Sequence, residues 1–324
     1  MRCSRALRRA GSLLAAAALM LAVPAVATAK DTVAFTIKDV RVVESSGLAR
    51  DLPANLYWTA NDSGSTGIAY GVNAKGKVVG SLNFRASPVD VEAVAVHENR
   101  LYLGDIGDNT ADRSKITVYA FNDARANGLT VGYQAYDFRY PDGAHDAETL
   151  LVNPKGRLFI VTKGRKGGIY AAPKNPSRQS TNELERVGTA PALVTDGTFL
   201  PGGKQIALLS YTSVEVVDAK TYAKVAVAAI PKQKQAESLT VSLDGTSLLV
   251  GSEGKKSKVY AMAVPGNETP SPNPSATDDQ GSDPDVDDSD ADSGSSSRGT
   301  YLALGLAGVV ALVAGGVVAL VRRR

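Results

Sequence analysis

Five times in this chain an acidic residue opens a short apolar run, a second apolar run follows 9 to 12 residues later and ends on polar residues, and a third run comes after it. The acidic residues are Glu44, Glu92, Glu148, Asp196 and Glu237, separated by 48, 56, 48 and 41 residues. The second runs are Leu56-Tyr57-Trp58, Leu101-Tyr102-Leu103, Leu158-Phe159-Ile160-Val161, Ile206-Ala207-Leu208-Leu209 and Leu248-Leu249-Val250, which end at Asp62, Asp105, Lys163, Tyr211 and Glu253. A unit of roughly 40 to 50 residues built from short strands cannot bury its own apolar face and must stack on copies of itself. The reading is an all-β chain folded as a β-propeller. The spacing yields five blades, and six would require splitting the longer second unit. The last unit has only three strands before Pro265, while residues 33–43 form a β-branched run ahead of the first acidic residue. That run is expected to supply the missing outer strand of the last blade and so close the ring, leaving no open sheet edge at the seam.

The flanks of the repeat region, residues 30–264, have a different character. Residues 1–29 start with Arg2, Arg5, Arg8 and Arg9, continue with an apolar run and end in Ala27-Thr28-Ala29, the pattern of a secretory signal peptide cleaved after Ala29. The only cysteine, Cys3, lies inside it, so the propeller is expected to have neither a disulfide nor a cysteine metal ligand. Residues 265–299 combine five prolines with nine acidic residues and almost no apolar ones, which predicts a disordered stalk; the alternative is an acidic calcium-binding tail. Residues 300–321 hold 22 consecutive uncharged positions and are followed by Arg322-Arg323-Arg324. That is enough to cross a ~30 Å hydrocarbon core as one helix, with the basic tail (322–324) cytoplasmic and the propeller extracellular. Ala303, Ala307, Ala311, Gly315 and Ala319 share one helix face, a stripe through which two spans could self-associate.

Charge narrows the partners. The repeat region carries 28 basic and 24 acidic residues and has no dense Lys/Arg tract with interleaved aromatics, which argues against nucleic acid. No Ser, His and Asp set at a recognisable spacing and no glycine-rich phosphate loop is present.

Several words in the repeats carry a resemblance: Glu44-Ser45-Ser46-Gly47-Leu48-Ala49, Asn61-Asp62-Ser63-Gly64, Asp90-Val91-Glu92-Ala93, Gly104-Asp105-Ile106-Gly107-Asp108-Asn109, Asp146-Ala147-Glu148-Thr149-Leu150 and Thr162-Lys163-Gly164. In these the chain resembles a family of secreted bacterial β-propellers described as WD-repeat-like or phytase-like. The match is good from Glu44 to Lys163, weaker at Asp196-Gly197 and returns at Glu237-Ser238-Leu239. The resemblance implies a propeller at the bacterial surface, without implying a particular reaction.

The repeated polar residues suggest where a site would lie. Inner strands line a propeller's channel, so Glu44, Glu92, Glu148, Asp196 and Glu237 are expected to form a ring at one mouth, with Asp62, Lys163 and Glu253 on the neighbouring rim. Converging carboxylates repel unless a cation or proton is shared, and oxygen ligands without cysteine point to Ca²⁺. The loop Asp105, Asp108 and Asn109 is the candidate metal site. The structural alternatives are that the ring carboxylates accept backbone N–H groups from neighbouring blades, that Lys163 makes an inter-blade ion pair, that Asp105 and Asp108 pair with Arg113, and that His145 is solvated rather than a base. Two functions stay open. One is a membrane-anchored surface module that binds a protein or a cell-wall glycan. The other is a calcium-assisted hydrolase of a phosphoester, lactone or ester.

Overall fold

The computed structural model describes residues 32–62 and 67–267, which contain strands and connections and no helix. The expected signal peptide, transmembrane helix and basic tail, and nearly all of the stalk, lie outside the described residues.

Five sheets form five blades. From channel to rim, the first contains Ser45–Asp51, Leu56–Asn61, Ile68–Val72 and Val78–Phe84. The second contains Val91–His97, Arg100–Asp105, Ile116–Asn122 and Gln134–Arg139. The third contains Ala147–Val152, Leu158–Thr162, Gly167–Ala171 and Glu185–Ala190. The fourth contains Val194–Phe199, Gln205–Ser210, Ser213–Asp218 and Lys224–Ala229. The fifth takes Ala236–Val241, Leu248–Ser252 and Lys258–Met262 from the end of the repeat region and Thr32–Thr36 from its start. Within each blade, successive strands are antiparallel.

The ring is therefore closed by the N-terminal strand, which pairs through Thr32 opposite Ala261 and Thr36 opposite Lys258. This strand is shorter than the β-branched run suggested. It ends at Thr36, and Ile37 and Val42, both buried, carry the chain across to the first blade. Around the seam Phe35 stacks on Tyr57 with ring centroids 5.6 Å apart, the Tyr57 hydroxyl accepts from Leu243 N at 2.9 Å, and Arg50 donates to Ser242 O at 3.1 Å. Two distant parts of the chain are thereby held together by apolar and polar contacts at once.

Second strands read as nearly unbroken apolar runs because both of their faces are covered by neighbouring blades. Leu158–Thr162, for example, is buried at every position. Five clusters of buried side chains fill the spaces between successive blades, as a stack of sheets with no self-sufficient core requires. The largest buried side chain, Trp58, is fully enclosed, and its indole N–H is satisfied by Asp51 Oδ2 at 2.9 Å.

In the second and third blades the connection between third and fourth strands leans on the outer strand of the preceding blade. Thr130–Val131 adds a short parallel strand to Val78–Phe84, and Asn182–Glu183 does the same for Gln134–Arg139. Gly80 has no side chain because a Cβ there would lie 1.8 Å from Ala126 O. Gly266 approaches Ala226 of the fourth blade in a similar way, at 3.1 Å from a Cβ built on the glycine.

Candidate functional site

Each inner strand of the second to fifth blades begins with a bulge. In the second blade Val91 faces Asp105 and Ala93 faces Gly104, which leaves Glu92 opposite no residue. Glu148 lies unpaired in the same way between Ala147 and Thr149, and Glu237 between Ala236 and Ser238. An extra residue leaves the ladder, bends the strand and re-aims its side chain. All three glutamates are buried.

The other two acidic residues stand elsewhere. In the fourth blade the bulged residue is Thr195, whose hydroxyl donates to Ala236 O at 2.6 Å. Counting from the pair Ser45 and Asn61, Ser46 takes the place of Glu92 in the first blade. Its hydroxyl lies 2.8 Å from Glu92 O and 3.0 Å from Glu92 Oε2. Glu44 is two residues earlier, level with Asp90 and Asp146. The expected ring of five carboxylates is thus three glutamates completed by Ser46 and Thr195. The discrepancy arises because acidic residues occupy neighbouring positions of the motif, and an alignment on charge cannot locate a bulge.

Asp196 lies deeper and is fully buried. Its Oδ2 accepts from Leu239 N at 2.6 Å and Leu48 N at 3.3 Å, and its Oδ1 from Gly197 N at 2.7 Å. Inner strands have no neighbour on their channel side, and Asp196 supplies acceptors for N–H groups of three blades. Burial pushes its carboxyl well above the usual range in spite of these donors. The channel then opens on a cavity of about 120 Å³ to which Leu48, Val94, Leu150, Gly197 and Thr240 contribute, one residue from each inner strand.

Above the glutamates lies a rim in which residues after the second strand bond back to residues before the inner strand. Asp62 N donates to Glu44 O at 2.9 Å, Lys163 N to Asp146 O at 2.8 Å and Glu253 N to Gln235 O at 2.9 Å. Gln235 also holds Glu237 Oε1 at 2.8 Å. Lys163 is hydrogen-bonded to Glu148 Oε1 and lies over the Tyr211 ring, 5.4 Å from its centroid. Burial opposes the Lys163 charge, but the hydrogen bond and charge of Glu148 outweigh it and raise the lysine's pKa, so the two form an ion pair.

Asp62, Asp90 and Glu92 can each place one oxygen so that all three lie within 4.8 Å of one another. Burial, followed by a hydrogen bond to Asp90 and the charges of Asp90, Glu253 and Glu44, raises the Asp62 carboxyl to about 7. Burial, followed by the charges of Glu148, Asp62 and Asp90, raises Glu92 to about 9 against the pull of Ser46. Burial and the charges of Glu237 and Glu44 also raise Glu253.

The loop from Gly104 to Asn109 supports this group from behind. Asp105 accepts from Asp90 N at 3.0 Å and Val89 N at 3.1 Å and pairs with Arg113 at 2.9 Å. Asp108 accepts from Asp112 N at 3.1 Å and Arg113 N at 2.9 Å, while Asn109 is exposed. Both carboxylates are taken up in fixing the loop. Gly107 matters for close approach: a Cβ there would lie 2.3 Å from Asp90 Oδ2 and 2.8 Å from Glu92 Cγ. Asp90 stands two residues before Glu92, as Asp146 does before Glu148. His145 stands apart, with Nε2 2.9 Å from Asp142 Oδ1 and 3.1 Å from the Tyr170 hydroxyl.

Fold and site together define a five-bladed β-propeller with an acidic mouth at the start of its inner strands. Compared with known proteins, the chain matches no family model and no curated protein.

Proposed function

We propose that this protein is a binding module of the bacterial cell surface, its propeller held outside the membrane by the apolar span at residues 300–321, and that the acidic mouth is its binding face for a positively charged ligand. The observation that carries this reading is the balance of charge at the mouth. Glu44, Asp62, Asp90, Glu92, Glu148, Glu237 and Glu253 gather there, and Lys163 stands among them paired with Glu148. A mouth of this kind attracts cationic groups such as the lysine-rich segment of a protein or the free amines of a wall peptide, and does so less in salt. The motifs shared with secreted WD-repeat-like propellers support the same setting. Calcium-assisted hydrolysis of an anionic ester is less well supported, because Lys163, the lysine described at the mouth, is committed to Glu148.

The test uses the full-length chain in detergent micelles, a fluorescent oligolysine peptide and an oligoglutamate control, in EDTA. Oligolysine is expected to bind and to weaken steeply with salt, and Glu237→Gln with Glu253→Gln is expected to weaken it about tenfold, equivalent to ~1.4 kcal/mol. Equal binding of the two peptides, or no effect of the paired substitution, would overturn the reading.

A further inference from the structure

Toward the end opposite the acidic mouth the channel holds a cavity walled by backbone and by one arginine, and we propose that this cavity, with Arg50 as its anchor, binds a small carboxylate of about four to six non-hydrogen atoms. The site shares no residue with the acidic mouth and stands or falls apart from the reading of that mouth.

The cavity, about 120 Å³ in volume, takes in residues of all five inner strands, among them Arg50, Val96, Val152, Phe199 and Thr240. Each inner strand ends its sheet on the channel side, so its edge carries N–H and C=O groups that no further strand pairs. Near the mouth Asp196 takes Leu48 N and Leu239 N. Two residues further along the first blade's edge, Arg50 N donates to Thr240 Oγ1 at 3.1 Å. In the third, fourth and fifth blades, Asn153 N, Leu200 N and Ser242 N turn the other way, to Arg157 O, Gln205 O and Ser247 O at 3.0, 2.9 and 2.9 Å. Successive N–H groups of an extended strand point to opposite sides, so those of Val152, Phe199 and Val241 face the channel. Donors from three blades thus converge at the level of Arg50.

Arg50 sets the sign of the ligand. It is half-buried, gives Nη1 to Ser242 O at 3.1 Å and enters no ion pair among the described residues. Asp244, the acid that acts on it, has its Oδ1 taken by Ser242 Oγ, Thr246 N and Thr246 Oγ1 at 2.5, 3.0 and 2.8 Å. Burial lowers the pKa of Arg50, the cost of a charge kept out of water without a counter-ion. A guanidinium presents five N–H donors in a planar fork, and a carboxylate meets that fork with two parallel hydrogen bonds. The inward backbone N–H groups supply donors for the same oxygens.

Size sets the rest. A cavity of about 150 Å³ holds benzene, so a space of about 120 Å³ fits acetate, propionate or lactate and excludes an aromatic acid.

Full-length protein in detergent micelles is titrated with sodium acetate at constant ionic strength, sodium chloride making up the balance, and followed by ligand-observed saturation-transfer NMR and by thermal melting. Acetate is expected to bind with a Kd of about 1 mM, in keeping with what a ligand of so few atoms can gain, and to raise the melting temperature. Phenylacetate, too large for the cavity, should do neither. Arg50→Gln should weaken acetate at least tenfold, and Arg50→Lys, which keeps the charge but loses the fork, severalfold. Should Arg50→Gln fail to melt cooperatively, Arg50→Lys decides. No saturation transfer to acetate in the wild-type protein, equal binding of phenylacetate, or acetate binding unchanged by the substitutions overturns the proposal.

Discussion

Asp196 accepts N–H groups from the first, fourth and fifth blades with a single carboxyl group. Replacing it with Asn retains the size but turns an NH₂ toward a backbone donor, so Asp196→Asn is expected to lower stability by ~1 to 3 kcal/mol. The urea midpoint should fall at an unchanged slope. Asp62 and Glu92 act in the opposite sense. Their folded pKa values, about 7 and about 9, lie above the ordinary carboxylate range of roughly 4. Between those limits the folded state holds more protons than the unfolded chain, so stability is greatest in acid and falls as pH rises toward 9. In EDTA the melting temperature should decline from pH 5 to pH 9. Glu92→Gln, which can still accept from Ser46, should flatten that decline and melt higher than the parent at pH 8. A steeper decline in the variant would show that the Glu92 charge is stabilising.

At the level of the element, the closing strand is the most exposed to test. Phe35→Ala removes the ring stacked on Tyr57 at the seam and should cost about 3 to 5 kcal/mol, read from chemical denaturation. Gly80→Ala tests the strap laid over the first blade, since a methyl group there must displace Ala126. Proteolysis of the folded variant should shift to residues 123–133, whereas an unchanged cleavage pattern would mean that the connection is not held by this contact. These elements were unequally legible in the sequence. Second strands showed themselves because burial on both faces writes an unbroken apolar run, as in Leu101-Tyr102-Leu103. Outer strands such as Glu185–Ala190 are largely exposed and show no such run. The two-residue strands at Thr130–Val131 and Asn182–Glu183 are too short to impose any pattern. At the mouth, Glu92, Glu148 and Glu237 are the bulged residues while Glu44 and Asp196 stand on either side of that position, because a bulge changes which residue faces the channel without changing composition. Asp105 and Asp108 show the same limit: residue type does not tell that a carboxylate will accept the backbone N–H groups of its own loop.

For the molecule as a whole, the proposed topology predicts that protease added to intact cells releases the propeller by cutting between residues 265 and 299. Recovery of uncut chain from cells with a demonstrably accessible surface would place the propeller elsewhere. The seam also bears on how the propeller would respond to load. Lys258–Met262, the strand from which the chain leaves the ring, is not at the rim but lies between Leu248–Ser252 and Thr32–Thr36. Tension applied through the chain beyond residue 267 therefore meets a strand hydrogen-bonded on both sides, and both ladders must shear together. Tension applied at Thr32 meets an edge strand that can be peeled one pair at a time. A propeller tethered by its C-terminal side is thus held at its mechanically strong end, and in a pulling experiment the N-terminal handle should yield at the lower force.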